Sequence, residues 1–261
     1  MKNLYSIIRS GLLATALVST SALADLSDIL SSGKVKIAVP EAFAPFGSVG
    51  ATGDHEGYDV DVAKLIAKDL GVELELVPVV SKQRIPFLET DRVDLVISTM
   101  GANPSRAKSI NFSSAYAPFY SGIFAPSTVT INGAADLKGK TVGVTSGSLE
   151  DLELTSMAPE GTKIVRFGDN AATLSAFTSK QVEVLVTGNT AAASLTAKDP
   201  SLDLERKLIV KDSPCFIGVK KGNEDLLRWV NVFILHKKLG GDLNKISQKW
   251  LGQDLPPLPS L

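Results

Sequence analysis

Apolar positions between residues 34 and 98 repeat with two different periods, which predict strands and a helix. The alternation at 34–39 and the apolar runs at 72–77 and 93–98 predict three strands. Between the first two strands, apolar residues at 62–70 recur at helical spacing, and Asp59 is the expected N-cap of that helix. Strands that alternate with helices in this way are typical of a parallel α/β sheet.

A second unit with the same pattern follows. Strand-like segments lie at 141–145, 164–167 and 182–187, and a helical stretch at 171–177 connects the last two. The expected fold class is therefore α/β with two lobes, each a mostly parallel sheet flanked by helices. Ligand sites in such sheets lie at the carboxyl ends of the strands.

Two segments that contain aromatic residues, Pro and Gly separate the units, and we expect the chain to cross between lobes near 117–122 and 212–218. The resulting boundaries place lobe 1 at 25–118 and lobe 2 at 119–213. The chain then returns to lobe 1 at 214–261, where two helices are expected. Two lobes joined by such a hinge enclose a cleft that closes on a small molecule.

Residues 1–24 have the pattern of a secretory signal peptide. Lys2 and Arg9 form the charged region, 12–18 is a short apolar core, and 22–24 is a small-x-small cleavage site. The apolar core is shorter than the roughly 20 residues that span a bilayer, although an uncleaved anchor is the alternative. No Cys lies near the cleavage site, so we expect a periplasmic protein without a lipid anchor.

Composition argues against several function classes. The 261 residues contain 27 Lys and Arg against 28 Asp and Glu, a formal charge of −1, which provides no basic field for nucleic acid. One Cys cannot form an intramolecular disulfide, and two His leave little material for the usual hydrolytic triads. No H-E-x-x-H, G-x-S-x-G or C-x-x-C motif occurs. We therefore expect no catalysis, no metal and no cofactor.

Four motifs stand near predicted strand ends and helix starts. They are PEAFAPF at 40–46, GYDVDVA at 57–63, VDLVISTM at 93–100 with PSRA at 104–107, and LKGKTVGV at 137–144. In order and content they resemble the extracytoplasmic solute-binding proteins for polar amino acids, the soluble receptors of ABC importers (family 3, type II periplasmic binding fold). The resemblance implies a ligand in the interlobe cleft and delivery to an inner-membrane permease. We expect a monomer, because closing requires free lobes.

The central motif carries the residues expected to bind a carboxylate. A planar guanidinium with neighbouring hydroxyl groups suits this ligand group. The resemblance implies that Arg106 binds the ligand α-carboxylate with help from Ser98 and Thr99, and that Phe43 forms an aromatic wall. The alternatives are a surface salt bridge for Arg106 and ordinary core packing for Phe43.

Two further segments add candidate contacts. Ser148 stands at a predicted helix start in the second lobe, where its hydroxyl and backbone N–H groups offer a second anion contact. The segment SKQRIPFL at 81–88 resembles the glutamate- and aspartate-binding members, which implies ligand roles for Arg84 and Ser81. Two arginines in one pocket favour a ligand with two acidic groups. Alternatively, Arg84 caps its own helix or faces solvent.

Two positions depart from the family pattern. Gly188 stands where the family usually has an Asp that pairs with the ligand ammonium, and Gly101 stands where Ser or Thr is common. Four other residues are candidates to replace the missing Asp, unless the ligand lacks a free α-ammonium. These candidates are Asn189, Glu150, Asp151 and Glu41.

Two rival functions stay open from the sequence. The first is an exported enzyme on the same scaffold, similar to a cyclohexadienyl or arogenate dehydratase. It would need a carboxylic acid in the cleft, such as Glu41, Glu150 or Glu183. The second is the sensory module of a receptor, against which the lack of a transmembrane helix or signalling domain in the sequence argues.

Overall fold

The computed structural model describes residues 26–259, which contain two five-stranded sheets. The predicted signal peptide at 1–24 lies outside the described residues. The strands of the first sheet are β1 (Lys34–Pro40), β4 (Glu73–Val79), β5 (Leu95–Met100), β6 (Ile110–Ala117) and β12 (Cys215–Lys220). Those of the second are β7 (Tyr120–Pro126), β8 (Thr141–Thr145), β9 (Lys163–Phe167), β10 (Val184–Gly188) and β11 (Leu204–Asp212). A two-stranded ribbon joins β2 (Ser48–Val49) to β3 (His55–Glu56).

Both sheets combine parallel and antiparallel strands. The first has the order β4-β1-β5-β12-β6, in which β1 runs parallel to β4 and β5, and β12 runs antiparallel to β5 and β6. The second has the order β11-β7-β10-β8-β9, in which β8 runs parallel to β9 and β10, and β7 runs antiparallel to β10 and β11. The predicted α/β fold class is therefore confirmed.

Helices flank both sheets. Those of the first unit are α1 (Leu26–Ser32), α2 (Tyr58–Leu70), α3 (Arg84–Glu89), α7 (Glu224–Leu239) and α8 (Asp242–Leu251), and those of the second are α4 (Leu149–Met157), α5 (Asn170–Thr178) and α6 (Asn189–Lys198). Short 3₁₀ turns lie at Ser81–Gln83, Arg106–Lys108, Ala134–Leu137 and Pro200–Leu202. Because side chains cover both faces of a central strand, every residue of β5 is buried, as its continuous apolar run predicts.

The chain passes between the sheets twice. Residues 118–119 lead from β6 to β7, and residues 213–214 lead from β11 back to β12. Both segments are shorter than the predicted crossings, because the strands continue further toward the junction than the sequence pattern indicates. The strands β7 and β12, which follow the two crossings, each lie second from an edge of their sheet. Phe119 and Cys215 at the junction belong to the hydrophobic core of the first unit.

The prediction that Asp59 caps α2 is wrong. Gly57 occupies the N-cap position, and the carboxylate of Asp59 is fully buried inside the first turn. At the other end of α2, the left-handed backbone of Gly71 (φ 70°) ends the helix, and its N–H bonds to the carbonyls of Ala67 and Lys68. The buried Asp59 is therefore available for contacts elsewhere in the core.

Within residues 26–259, the structure contains no helix with the length and apolarity needed to cross a membrane. Over the same residues, no cluster of three or more His, Cys, Asp or Glu side chains is arranged to hold a metal ion.

Candidate functional site

The carboxyl end of β5 carries an unusual backbone conformation at Thr99. Its φ of 46° lies in the left-handed region, which a β-branched residue rarely adopts. Asp59 compensates, because its Oδ2 accepts hydrogen bonds from the Thr99 backbone N–H (2.8 Å) and hydroxyl (2.9 Å). The contact fixes the direction of the chain from Ser98 to Gly101 at the edge of the sheet.

Asp59 serves this positioning role with both of its oxygens. The Tyr116 hydroxyl donates to Oδ1 at 2.6 Å, and the two bonds from Thr99 occupy Oδ2. Burial raises the pKa of Asp59 to about 7, although these hydrogen bonds and the charge of Arg84 act in the opposite direction. Asp59 therefore holds the backbone of the site from inside the core, although its place in the sequence predicted a helix cap.

Arg84 begins α3 and is only 6% exposed. Its Nε donates to the Ser98 hydroxyl at 3.1 Å, and within residues 26–259 this is the one hydrogen bond of its guanidinium. Burial and, to a smaller extent, the charge of the nearby Arg106 lower the pKa of Arg84 to about 10, although the charges of Glu150 and Asp59 act in the opposite direction. Arg84 therefore neither faces solvent nor forms an ion pair with a described residue.

Arg106 joins the two halves of the molecule. The residue is 8% exposed, and its guanidinium donates from Nη1 to the Gly101 carbonyl (2.9 Å) and from Nη2 to the Gly147 carbonyl (3.1 Å). Gly101 follows β5 of the first sheet, whereas Gly147 follows β8 of the second. No carboxylate among the described residues forms an ion pair with Arg106, so the proposed surface salt bridge is not what the structure contains.

The opposite side of the cleft is the start of α4. Ser148 is its N-cap, and the Ser148 hydroxyl accepts a hydrogen bond from the Asp151 backbone N–H at 3.1 Å. The Asp151 carboxylate accepts from the Gly147 N–H (3.1 Å) and forms an ion pair with Arg166 (2.7 Å). Asp151 therefore holds the loop in place and is not free to meet a ligand ammonium.

Glu150 is the carboxylate that faces the arginines. Its side chain is 9% exposed, and its Oε1 accepts a hydrogen bond from the Ser121 hydroxyl at 3.1 Å. The charge of Glu150 raises the pKa of both Arg84 and Arg106 against the lowering that burial causes. Glu150 therefore lies within electrostatic reach of both guanidinium groups while forming an ion pair with neither.

Phe43 belongs to an aromatic cluster beside the crossing segment. Its ring stacks on Phe46 (centroids 6.1 Å apart) and meets the edge of Phe119 (6.2 Å). The Phe119 ring explains the departure at Gly188, because a Cβ on residue 188 would lie 2.2 Å from the Phe119 Cζ. An Asp at this position would require the ring to move.

Gly101 marks a close approach of the two halves. A Cβ there would lie 2.2 Å from the Ser213 hydroxyl and 2.7 Å from a methyl carbon of Leu149. The space that a Ser or Thr side chain would need is thus occupied by the second crossing segment and by α4. At both departures from the family pattern, a side chain would require its neighbours to move.

The remaining candidates are dispersed. Asn189 begins α6, and its Oδ1 accepts a hydrogen bond from the Tyr120 N–H at 3.2 Å. Glu41 is exposed, and the exposed Glu183 accepts a hydrogen bond from the Thr141 N–H at 2.9 Å. Of the three carboxylic acids that a dehydratase was expected to use, Glu150 alone lies near the arginines.

A cavity of about 290 Å³ lies between the two halves. Its lining consists of Ser81, Lys82, Arg84, Ile85, Met100, Arg106, Gly147 and Leu152. The cavity brings together Ser81, Arg84 and Arg106, which the sequence singled out. Its lining does not include the other predicted site residues, which are Phe43, Ser98, Thr99, Gly101, Ser148, Glu150 and Asn189. Two larger depressions along the outer face of α7 contain no buried charged side chain, so they lack the charged contacts of the cleft.

Sequence reasoning missed three residues of this region. Tyr116 donates a hydrogen bond to Asp59 and Ser121 donates one to Glu150, and Phe119 fills the space beside Gly188. Phe119 and Ser121 lie in the predicted crossing at 117–122, and Tyr116 directly precedes it. The sequence showed both the aromatic residue at 119 and the departure at Gly188, but it does not show that the two residues are in contact.

One cysteine lies beneath the same region. Cys215 begins β12 and is fully buried. Burial raises the pKa of its thiol well above the ordinary value, and the charge of Asp59 adds to this effect.

Comparison with known sequences agrees with this geometry. Residues 35–253 match the bacterial extracellular solute-binding proteins, family 3. The L-cystine-binding protein TcyJ of Escherichia coli (strain K12) is 29% identical over 255 residues, which cover 94% of this chain and 95% of the relative. The glutamine-binding protein GlnH of Bacillus subtilis (strain 168) is 31% identical over 208 residues, 78% of this chain and 76% of the relative.

Solved structures show the same fold. The L-cysteine solute receptor of Neisseria gonorrhoeae superposes with a TM-score of 0.82 at 30% identity, covering 87% of this chain and 94% of the receptor. The ancestral amino acid-binding protein AncCDT-1, a precursor of cyclohexadienyl dehydratase, gives 0.77 at 29% identity over 86% of this chain and 98% of that protein.

The curated relatives named here are transport binding proteins, and this chain is accordingly a binding protein and not an enzyme. The family is periplasmic, binds amino acids and works with ABC permeases. From its matched residues and its two-lobe fold, the chain belongs to family 3 of the bacterial extracellular solute-binding proteins.

Proposed function

We propose that this protein is the periplasmic receptor of an ABC importer for an acidic amino acid or a close analogue. The observation that carries the proposal is the pair of buried guanidiniums, Arg84 and Arg106, that line one cavity between the two halves. Within residues 26–259, neither has a carboxylate ion-pair partner. A ligand with two acidic groups supplies both missing charges.

The hydrogen bonds of the two arginines leave donors for a ligand. A guanidinium has five N–H donors, of which Arg84 uses one and Arg106 two, all on neutral acceptors. The protein thus orients both groups without neutralising them. A charge-assisted hydrogen bond contributes about 1.5–3 kcal/mol. A few such bonds account for micromolar binding, which corresponds to about −8 kcal/mol, after the costs of ordering.

Both halves contribute to the site in this proposal. Arg106 reaches from the first sheet to the Gly147 carbonyl, and Ser148 stands next to it at the start of α4. Closing of the lobes around the ligand removes water and strengthens these contacts. The hinge consists of the two crossing segments, which divide the chain into lobes at 25–118, 119–213 and 214–261.

Three further parts of the proposal concern the protein as a whole. It is exported by means of the signal peptide at 1–24, acts as a monomer, and binds no nucleic acid. The ligand-bound form delivers its cargo to a membrane permease.

Isothermal titration calorimetry of the purified protein tests the ligand class. We expect L-glutamate or L-aspartate to bind at least about 30-fold more tightly than L-glutamine or L-arginine, because a neutral or cationic side chain leaves Arg84 uncompensated. Tighter binding of L-glutamine, L-arginine or L-cystine than of both acidic amino acids would contradict the proposal.

A matched pair of variants locates the effect. Arg84→Gln should weaken L-glutamate binding by at least about 30-fold while changing L-glutamine binding little. The control is Arg228→Gln, which removes an exposed guanidinium from α7 and should change neither affinity.

A further inference from the structure

Glu150 is a buried carboxylate whose second oxygen accepts no hydrogen bond from residues 26–259. Ser121 bonds to Oε1 at 3.1 Å, and no hydrogen bond to Oε2 is formed within residues 26–259. The side chain is more than nine-tenths buried and forms no ion pair with a described residue. The first turn of α4 favours its negative charge through the helix dipole. Such a carboxylate has capacity for a cationic partner.

The sheet register places this carboxylate beside Gly188. Ser121 of β7 and Gly188 of β10 are directly paired in the antiparallel ladder. Side chains of directly opposed residues point to the same face of a sheet. The Ser121 hydroxyl, and the Glu150 carboxylate that it holds, therefore lie on the face toward which a side chain on residue 188 would point. Glu150 from α4 thus supplies a carboxylate where β10 itself has no room for one.

The other buried carboxylates near the cleft are already committed. Asp59 uses both oxygens on Thr99 and Tyr116. Asp151 is bound to Arg166 and to the Gly147 N–H. Among the buried carboxylates of residues 26–259, this leaves Glu150 as the acceptor with an oxygen to spare.

Because the two arginines come from the first unit and Glu150 from the second, an amino acid differs from a simple dicarboxylate in how it spans the cleft. Its carboxylates meet Arg84 and Arg106, and its ammonium is drawn to the opposite side. A dicarboxylate without an amino group would instead be repelled by the negative charge of Glu150.

We propose that the Glu150 carboxylate, held by Ser121 beside the Phe119 ring, binds the α-ammonium of the ligand and so selects amino acids over their deamino analogues. This inference rests on the proposed function, since it takes the cleft between the arginines and α4 as the ligand site. It assigns to α4 the contact that β10 cannot make while Phe119 occupies the space beside Gly188.

The experiment compares each amino acid with the compound that lacks its amino group. Affinities are measured by calorimetry for L-glutamate against glutarate and for L-glutamine against glutaramate. We expect the wild type to prefer the amino acid in at least one pair by 100-fold or more. Glu150→Gln should reduce that preference by about 10- to 100-fold, chiefly by weakening the binding of the amino acid, because the neutral amide loses the charge-assisted hydrogen bond.

Two variants keep the test independent of folding defects. Ser121→Ala leaves the carboxylate but removes the hydroxyl that orients it, and should reduce the preference by about 3- to 10-fold. Glu153→Gln makes the same chemical change on the same helix, where the native side chain meets Lys211 at 3.7 Å, and should leave the preference unchanged. Thermal unfolding of each variant verifies that it is folded.

The outcomes separate the two proposals. If Glu150→Gln weakens the binding of the amino acid and of its deamino analogue equally, the carboxylate stabilises the closed protein and the ammonium role is wrong. A wild type without a preference in either pair, including one that binds none of the four compounds, also overturns it. A preference that appears only in the glutamine pair and falls in Glu150→Gln supports the ammonium role while contradicting the acidic ligand class.

Discussion

The two sides of the cleft hold their charged groups in different ways. On the first side, Arg84 and Arg106 are fixed by neutral acceptors, and the strand end that provides one of them is itself held by Asp59. On the second side, Glu150 rests on a single hydroxyl. The first side is therefore a rigid cationic surface, whereas the second presents one adaptable carboxylate. In the function we propose, the first side provides most of the affinity and the second side discriminates for the ammonium group.

Removing Arg106 should have the largest effect on this contrast. In Arg106→Ala a buried ligand carboxylate loses its counter-charge, which costs about 3–5 kcal/mol and corresponds to an affinity loss of roughly 150- to 5,000-fold. Calorimetry with L-glutamate measures the loss, and Arg92→Ala, which removes an exposed guanidinium stacked on Phe87, is the control. An affinity near that of the wild type would refute the role of Arg106 and remove the distinction between the two sides.

The folding stability of the protein should depend on pH through Asp59, which holds the first side of the cleft. Because burial raises the folded-state pKa to about 7, the folded protein keeps a proton that the unfolded chain loses near pH 4. The free energy of unfolding contributed by this group is therefore greatest below about pH 4 and decreases by about 1.4 kcal/mol per pH unit up to about pH 7. Above that pH the contribution is constant.

Urea unfolding of the wild type and Asp59→Asn at several pH values measures this contribution. The stability of the wild type relative to Asp59→Asn should decrease as the pH rises from 4.5 to 7. Asp69→Asn on the same helix, where the native side chain pairs with Lys237 at the surface, should show no such slope. A difference between wild type and Asp59→Asn that does not change with pH would contradict the interpretation of Asp59.

Filling the space beside Phe119 should have a smaller effect on the second side. Gly188→Ala places a methyl group where the Phe119 ring lies, and overpacking of this kind costs about 1–3 kcal/mol of folding stability. Phe119→Leu should relieve part of that cost, so the two changes are expected to be non-additive in chemical denaturation. Gly168→Ala, at a position with open space, is the matched control. Full additivity would mean that the ring does not limit residue 188.

The smallest expected effect concerns the hydroxyl that orients Arg84. Ser98→Ala removes the acceptor of the Nε hydrogen bond, and we expect a loss of about 0.5–1.5 kcal/mol in L-glutamate binding. In an Arg84→Gln background the same change should add little, since the two residues act together. Ser105→Ala, at an exposed position, provides the comparison. An equal loss in both backgrounds would show that Ser98 acts independently of Arg84.

Local sequence patterns predicted the sheets and helices well, because both depend on the periodicity of apolar residues. The strands at 34–39 and 141–145 were placed within one residue of β1 and β8. Asp59 was misread, since an acidic residue near a helix start has the same local pattern whether it caps the helix or enters the core. Its partners Thr99 and Tyr116 are 40 and 57 positions away and leave no local signal.

The candidate site shows the same division between local and distant information. The motif containing Ser98 and Arg106, and the segment containing Arg84, predicted residues that the structure brings to one region of the cleft. The sequence also revealed that Gly188 departs from the family pattern. It could not show why, because the Phe119 ring reaches this position only after the chain has crossed between the sheets.

The buried state of Cys215 has a practical consequence for following the motion of the lobes. Its thiol is inaccessible and its raised pKa suppresses the reactive thiolate, and the chain has no other cysteine. A cysteine introduced at the exposed Leu152, on the rim of the cleft, would therefore accept a maleimide dye selectively. The wild-type sequence is thus already suited to conversion into a fluorescent sensor with a single label.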